Sequence, residues 1–287
     1  MATQSSTITP AREVRSATGS APHAAVRARW FGALPVLSLL WREIVRFYRQ
    51  PSRVVGVIAS PVLFWIVIGS GFGSSIRAAG NQNYLDYFFP GALIMIVLFT
   101  SIFTMMSVIE DRKEGFLLSV LVAPVSRSVI VLGKVLGGTS LSAIQGLVFL
   151  AFAPLIGIHF SFTQFLAIAL VVWMVAFALT TLGFAIAWKL NSTQGFHAII
   201  NLLMIPLWLV SGALFPLTGA SIWVRLLMRI NPLTYGVEAL RGLLFPANAV
   251  AGQFSVGRAV AVLGGISVVL FAAAFALVSR RSTKPAA

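Results

Sequence analysis

The chain has 287 residues, of which 58% are hydrophobic and only 10% are charged. Soluble domains average about 45–50% apolar and about 25% charged residues, so this composition excludes an ordinary water-soluble fold. The formal net charge is +14, and the sequence contains no Cys, which excludes disulfides and thiolate metal sites. The length accommodates several membrane helices, since each needs about 20 apolar residues to cross a hydrocarbon core of about 30 Å.

The first predicted element is an amphipathic helix at residues 31–53. At 100° per residue, four of its arginines fall within about 60° of one another, opposite a group of apolar side chains. These arginines are Arg42, Arg46, Arg49 and Arg53. We expect this helix to lie in the cytoplasmic membrane interface, either as an anchor that contacts anionic lipid or as an anchor that also binds a cytoplasmic partner protein. Residues 1–30 lack the apolar core of a signal peptide and are predicted to form a disordered cytoplasmic tail.

Six long apolar stretches follow, and each predicts a membrane-spanning helix. Their near-continuous apolarity lacks the alternation typical of a membrane β-barrel, so helices are favoured. Pro61, Pro154 and Pro206 fall inside these stretches, where we interpret them as kinks. The stretches are residues 54–73, 88–109, 129–157, 164–188, 197–216 and 259–279. The sequence therefore predicts an all-α integral membrane protein with a six-span transmembrane domain at residues 54–279.

The basic residues are distributed unequally between the two sides of this predicted domain. Fifteen of the 21 Lys and Arg residues lie in the two terminal segments and in the second and fourth connections, and five lie in the other three connections. The positive-inside rule then places both termini, including residues 280–287, in the cytoplasm. This topology accounts for the net charge, so we do not expect a nucleic-acid partner. The predicted location is a bacterial inner membrane.

A concentrated charged segment follows the second span. Residues Glu110 to Gly115 include three of only seven acidic residues in the protein. Two interpretations remain open: a solvated charge run that ends the span, or a surface that binds a partner protein. Gly133 and Gly137, in the third span, have the spacing that lets two helices approach closely, and we interpret them as packing residues.

The sequence supplies no evident energy source for transport. Lys134 follows Gly133 but is followed by Val135, so the chain has no Gly-x-x-x-x-Gly-Lys-Ser/Thr loop for ATP. None of the six predicted spans contains Asp or Glu, which disfavours a buried proton relay. The residue types and their spacing in the sequence also indicate no catalytic residue, metal site or cofactor. We therefore expect any ATP to be hydrolysed by another polypeptide.

Two groups of residues resemble the permease subunits of type-2 ATP-binding-cassette exporters. One is the Glu-x-Arg-x-x-Gly segment at residues 110–115, followed by a Leu-rich stretch at 117–121, Pro-Val-Ser-Arg at 124–127 and Gly-Lys at 133–134. The other is Ser-Gly-Ala-Leu-Phe-Pro at 211–216, Asn-Pro-Leu-Thr-Tyr at 231–235, Glu238 and Arg241. The chain looks like drug-exporting and polysaccharide- or lipid-exporting permeases, and the resemblance does not separate these substrates.

The resemblance implies a homodimer or heterodimer of permease subunits, in contact with membrane lipid, on two ATP-binding subunits. It implies that the amphipathic helix and the first cytoplasmic loop, residues 110–128, contact the ATPase. The implied coupling residues are Arg42, Glu43, Arg46, Glu110, Asp111, Arg112, Lys113, Glu114 and Gly115.

The resemblance also implies short re-entrant helices at the outer leaflet, in the segment 217–258. Their matching residues are Asn231, Pro232, Tyr235, Glu238 and Arg241. A solvated outer loop is the alternative for this segment. For the whole protein, two alternatives to an exporter permease remain: an ion-coupled secondary carrier or channel without an ATPase, and a membrane scaffold that transports nothing.

Overall fold

The computed structural model describes residues 33–73, 84–116, 127–246 and 255–279, and the regular structure in these ranges is helical throughout. The α-helices are α1 (Ala33–Tyr48), α2 (Pro51–Gly73), α3 (Tyr84–Thr104), α4 (Met106–Lys113), α5 (Arg127–Leu150), α6 (Phe162–Lys189), α7 (Thr193–Leu209), α8 (Ile222–Ile230), α9 (Pro232–Leu244) and α10 (Val256–Ser279). The predicted all-α fold is confirmed. The predicted tails at residues 1–30 and 280–287, the Leu-rich stretch 117–121 and residues 124–126 lie outside the described residues.

Five helical segments in the described ranges are long and apolar enough to cross a membrane. They are Val54–Gly71, Tyr84–Lys113, Ser128–Ile156, Phe162–Lys189 and Val256–Ser279. The fifth of the six predicted spans corresponds to α7, whose 17 residues are apolar but shorter than the others. At 1.5 Å per residue α7 is about 26 Å long, slightly less than a typical hydrocarbon core.

Helix α3 lies at the centre of the bundle, where it packs against α2, α5, α6 and α9. The most apolar part of its span is 83% buried within the chain, against 19% for α2 and 17% for α10. The exposed surfaces of α2 and α10 are nevertheless apolar, as with Val67 and Val268. Such surfaces require contact with lipid or with another membrane subunit, because extended apolar surfaces are not left exposed to water.

The junction between α3 and α4 is a tightly packed break at Met105. There the backbone makes i→i−3 hydrogen bonds, from Met105 N to Ile102 O and from Val108 N to Met105 O, both 3.0 Å. Glycines from two neighbouring helices allow this approach, since a Cβ at Gly138 would lie 2.6 Å from Met105 Cε and one at Gly183 would lie 3.2 Å from Ile102 Cα. Helix α4 therefore continues α3 with a local change of helical geometry.

The predicted kink at Pro154 is wrong. Helix α5 ends at Leu150, and Pro154 lies in the first turn of a separate 3₁₀ helix, Ala153–Ile156, which Gly157 terminates with φ 79°. A proline is accommodated in a first turn because the N–H it lacks would have no partner there. Pro61 and Pro206 do lie inside helices, in α2 and α7 respectively.

Helix α1 packs directly on the first half of α5, at the two glycines predicted to serve packing. A Cβ at Gly133 would lie 2.7 Å from Leu39 Cβ, and one at Gly137 would lie 3.0 Å from Glu43 Cβ. These contacts advance by one turn along both helices, so the glycines form the surface on which α1 rests. The packing prediction for Gly133 and Gly137 is confirmed.

Helix α9 extends from the middle of the bundle to one end and does not run the full length of the bundle. Its first residues, Pro232 and Leu233, line a small apolar gap beside the middle of α6 and α10. Near its other end, Leu243 O accepts a 3.4 Å hydrogen bond from Gln164, in the first turn of α6. Nine of its 13 residues are buried, so the alternative of a solvated outer loop is wrong for α9. The short helix α8 before it is amphipathic and exposes Ile222, Trp223, Leu226, Leu227 and Ile230.

Candidate coupling site

Three helices bring seven charged side chains together at one end of the bundle, and we call this group the ionic cluster. Helix α1 supplies two arginines and a glutamate, α4 and its C-terminal cap supply three acids, and α5 supplies one lysine. The members are Arg42, Glu43, Arg46, Glu110, Asp111, Glu114 and Lys134. The ion pairs between different helices join residues at least 23 positions apart in the sequence, so the cluster fixes tertiary structure.

The centre of the ionic cluster is a buried lysine between two carboxylates. Lys134 makes ion pairs with Glu43 and Asp111, and these three side chains are at most 2% exposed. The Ser107 hydroxyl accepts a 3.1 Å hydrogen bond from Lys134 Nζ and donates a 2.7 Å one to Glu43 Oε2. Because an unpaired buried charge costs several kcal/mol, each of these groups requires the others.

Two arginines of α1 enclose this centre. Arg42 donates two hydrogen bonds to the Asp111 carboxylate, at 2.8 and 3.0 Å, in the bidentate geometry that gives strong Arg–carboxylate pairs. The same hydrogen bonds raise the pKa of the Arg42 guanidinium above its ordinary value. Arg46 donates to Asp111 at 2.7 Å, to Glu110 at 2.9 Å and to Glu114 at 3.3 Å.

The structure brings together six of the nine residues that the sequence analysis assigned to coupling. The other three lie beside the cluster. Arg112 points to the C-terminus of α6, where it donates to Trp188 O at 2.7 Å, Leu190 O at 3.2 Å and Asn191 Oδ1 at 2.8 Å. Lys113 is exposed, and Gly115 has φ 77°, a left-handed conformation that favours glycine after a helix.

The helical segment that contains the second predicted span extends beyond residues 88–109 at both ends, and it therefore includes acids that the predicted span does not. The span Tyr84–Lys113 begins before Asp86 and continues through Glu110 and Asp111. The helix extends beyond its apolar run because these last acids are paired with α1 and α5. For Asp111, which is fully buried, the alternative of a solvated charge run is also wrong.

Two members of the site were not assigned to it from the sequence, Lys134 and Ser107. Lys134 was noted only as part of a Gly-Lys pair. Its isolation within an apolar helix was the available signal, because a buried lysine needs an acidic partner. Ser107 gave no comparable signal, since serine is common in membrane helices.

The residues predicted for the outer segment surround the loop after α7, and we call them the outer network. Asn231 caps α9 by accepting from Leu233 N at 2.9 Å, and it donates to Leu207 O. Pro232 is the first residue of α9, where proline fits without loss. Tyr235 donates to Arg229 O at 2.6 Å.

The remaining members of the outer network form a second ion pair, between the buried Glu238 and the half-buried Arg241. Arg241 binds Glu238 at 2.8 Å and donates to Gly212 O at 3.0 Å. Its guanidinium also lies 4.2 Å from the centre of the Tyr87 ring, whose hydroxyl donates to Gly212 O at 3.3 Å. Gly212 has φ 84°, so the loop turns here in a conformation that favours glycine.

Apolar helices of membrane length and a buried ionic cluster at one end describe a multi-pass membrane protein. Comparison with known sequences defines it further. The chain belongs to the ABC-2 type transporter family, whose profile matches residues 35–245. It is therefore a transmembrane permease subunit of an ABC transporter, and a transport subunit rather than an enzyme, as the sequence resemblance predicted.

Three relatives support this assignment. The transport permease ycf38 of Cyanophora paradoxa is 30% identical over 209 residues, which are 71% of this chain and 72% of the relative. The daunorubicin resistance ABC transporter permease protein DrrB1 of Streptomyces coeruleorubidus is 22% identical over 248 residues, 84% of this chain and 85% of the relative. The inner membrane transport permease YadH of Escherichia coli K12 is 25% identical over 213 residues, 71% and 81% of the two chains.

Proposed function

We propose that this permease forms, with a second permease subunit, the pathway of an exporter driven by two copies of a separate cytoplasmic ATP-binding subunit. The ATP-binding subunit docks on the end of the bundle that carries the ionic cluster. The observation that carries this proposal is the ion-paired junction of α1, α4 and α5. Membership of the ABC-2 type transporter family supports it.

The exposure of the nine predicted coupling residues separates two roles. Glu110 is 24% exposed and Glu114 58% exposed, and Lys113 is also exposed, so a partner protein can contact these side chains. Glu43 and Asp111 are buried and can act only by transmitting a displacement. In this proposal the partner moves α4, and the buried pairs carry that motion to α1, α5 and, through Met105, α3.

The proposed orientation places the ionic cluster, both termini and residues 110–128 in the cytoplasm of a bacterial cell, in the inner membrane. The excess of basic residues on that side supports it. The name of YadH states an inner membrane location for that relative. In the same proposal α8 and α9 form the re-entrant segment at the outer leaflet, which is consistent with α9 beginning beside the middle of α6.

For the substrate we propose an amphipathic or hydrophobic molecule of drug-like size, in preference to a glycan or lipid. An apolar cavity of about 310 Å³ lies between α2, α3 and α7, within the size range of small-molecule sites. Its lining includes Phe64, Met95, Phe99, Met204 and Trp208. The name of DrrB1 connects that relative with daunorubicin resistance, which supports the same class.

Co-purification tests the proposed ATPase partner. The tagged permease is isolated from its own cell membranes in mild detergent, and bound proteins are identified by mass spectrometry. We expect an ATP-binding subunit with the parent chain and its loss from Glu114→Lys, which reverses an exposed charge at the docking end. Arg229→Glu is the matched control, because Arg229 is exposed on α8, in the outer segment.

Two results would contradict the proposal. One is an ATP-binding subunit retained equally by Glu114→Lys and by the control. The other is uphill transport by the reconstituted chain alone on an ion gradient without ATP, which would identify an ion-coupled carrier. A variant that loses its partner must keep the thermal unfolding midpoint of the parent, so that loss of fold is not mistaken for loss of docking.

A further inference from the structure

A groove of about 420 Å³ lies between α6, α7 and α10. Its walls are apolar and include Ala185, Ile186, Ile199, Ala273 and Leu277, and Lys189 is the charged residue among those that line it. The groove lies at the same end of the bundle as the ionic cluster. Arg112, the neighbour of Asp111 on α4, donates to carbonyl oxygens on both sides of Lys189.

Lys189 has the properties of an anion-binding residue. It is exposed at the last residue of α6, and the ion pairs of the described residues do not include it. The C-terminal carbonyls of a helix normally attract a nearby cation. Here Arg112 already binds the carbonyls of Trp188 and Leu190, so the Lys189 ammonium remains available to an external anion.

We propose that this groove binds one anionic phospholipid. An acyl chain occupies the apolar walls, and the phosphate-containing headgroup binds the Lys189 ammonium. Two observations select this occupant. The groove is lined by α6 and α10, which are both candidate membrane spans. Its charged residue lies at the end of α6, where a phospholipid headgroup would be. A cation at the end of an apolar groove matches the amphipathic character of a phospholipid.

Two other occupants are less compatible with the groove. The segment that follows α10, residues 280–287, carries three basic and no acidic residues, so Lys189 repels it. A zwitterionic phospholipid can fill the apolar walls, but the positive group of its headgroup opposes binding at a cation. Lipid binding is a property of this chain alone and does not depend on the proposed ATP-binding subunit, so the two proposals fail separately.

Native mass spectrometry of the full chain in detergent measures the binding directly. The chain is titrated with phosphatidylglycerol and, separately, with phosphatidylcholine. We expect tighter binding of phosphatidylglycerol and a loss of about fivefold in its affinity on Lys189→Gln, the factor expected for one basic side chain near a membrane surface. Lys189→Arg should retain the affinity, and Lys113→Gln, an exposed lysine at the same end that does not line the groove, should leave it unchanged.

A second variant tests the apolar part of the site. Ala273→Phe fills the groove and should lower phosphatidylglycerol binding while Lys189 is intact, with the thermal unfolding midpoint unchanged. Equal affinities for the two lipids, or equal losses from Lys189→Gln and Lys113→Gln, would overturn the proposal. Tighter lipid binding after removal of residues 280–287 would show that this segment occupies the groove and would overturn it as well.

Discussion

The two polar regions of this permease, the ionic cluster and the outer network, are held by different kinds of interaction. In the ionic cluster, charged side chains bind one another across three helices, with Lys134 at the centre. In and around the outer network, side chains bind mainly backbone carbonyls of the last turn of α7 and of the loop after it. Asn231 donates to Leu207 O, Thr234 to Val210 O and Arg241 to Gly212 O. Tyr84 and Tyr87 on α3 bind carbonyls of the same loop, at Leu214 and Gly212.

This difference follows from what each region must satisfy. A non-helical loop within a bundle exposes carbonyl groups that need donors, and the outer network supplies them. The ionic cluster has no such loop to satisfy and depends on a balance of charge. A partner protein can change the charge balance of the ionic cluster or move one of the helices that form it. The carbonyl groups of the loop need hydrogen-bond donors whether or not a partner is bound. The comparison is therefore consistent with our proposal that the ionic cluster rearranges when a partner binds, and it leads us to propose that the outer network keeps a fixed geometry.

The largest effect is expected from Lys134→Met. This change leaves Glu43 and Asp111 buried without their shared lysine, and breaking one side of a buried ion pair costs about 3–5 kcal/mol. We expect a large decrease in the free energy of unfolding, seen as a lower thermal unfolding midpoint of the purified chain in detergent. Lys113→Met is the control, since an exposed lysine contributes less than about 0.5 kcal/mol.

A second substitution separates charge balance from packing. Adding Glu43→Leu to Lys134→Met removes one of the two unpaired acids, so the double variant should be more stable than the sum of two single losses predicts. Equal midpoints for Lys134→Met and Lys113→Met would contradict the importance of the ionic cluster. Strict additivity would show that the acids are not coupled through the lysine.

An intermediate effect is expected from Arg241→Met in the outer network. The change removes a 2.8 Å pair with Glu238, a 3.0 Å hydrogen bond to Gly212 O and the contact with the Tyr87 ring. Hydrogen bonds to charged groups contribute about 1.5–3 kcal/mol, and Tyr87 still donates to the same carbonyl. We therefore expect a lower unfolding midpoint, but a smaller decrease than for Lys134→Met. The reverse order would refute the distinction between the two regions.

Much of the fold could be predicted from the sequence because membrane helices have a strong compositional signal. The long apolar runs correctly predicted the positions of α2, α3, α5, α6 and α10, whereas the ends of the helices were predicted less accurately. The end of α5 was missed because an apolar run does not show where backbone hydrogen bonding stops, and Pro154 was interpreted as a kink. The helix of the second predicted span continues beyond the apolar run, where its last acids are paired with α1 and α5, and an apolar run does not show such a continuation.

The candidate site could be predicted in part. Charge patterning singled out the charged residues of α1 and α4, and the resemblance to exporter permeases assigned six members of the ionic cluster, Glu43 among them, to coupling. The periodicity of α1 identified Arg42 and Arg46, and the density of acids identified Glu110 to Glu114. Burial was not predictable in this way, because the burial of Asp111 depends on α5, which contributes Lys134 from 23 residues away. The roles of Arg112 and Arg241 also depend on backbone carbonyls of distant segments, which leave no mark in the sequence.

The smallest effects, and the sharpest comparison of the two regions, are expected from alanine at three glycines. At Gly133 a new Cβ would lie 2.7 Å from Leu39 Cβ, an atom fixed to the backbone of α1, so α1 itself must move. At Gly236 in α9 it would lie 2.7 Å from Val175 Cγ2 and 3.3 Å from Ile94 Cδ1, both side-chain methyl groups that can shift. At Gly265 in α10 a new Cβ would have no packing neighbour within 4 Å among the described residues outside its own helix backbone, so alanine should gain stability from its higher helix propensity, by up to about 1 kcal/mol.

Overpacking costs about 1–3 kcal/mol of unfolding free energy, whereas the higher helix propensity of alanine gains up to about 1 kcal/mol. The cost should exceed the gain at Gly133, where α1 itself must move, and should roughly equal it at Gly236, where side-chain methyl groups can shift. The expected order of unfolding midpoints is therefore Gly265→Ala above the parent, Gly236→Ala near the parent and Gly133→Ala below it. If Gly133→Ala also impairs co-purification of the proposed ATP-binding subunit while Gly236→Ala does not, the contact between α1 and α5 is part of the proposed docking geometry. A midpoint for Gly133→Ala at or above that of the parent would show that α1 adjusts freely, and a freely adjusting α1 could not transmit motion to α5.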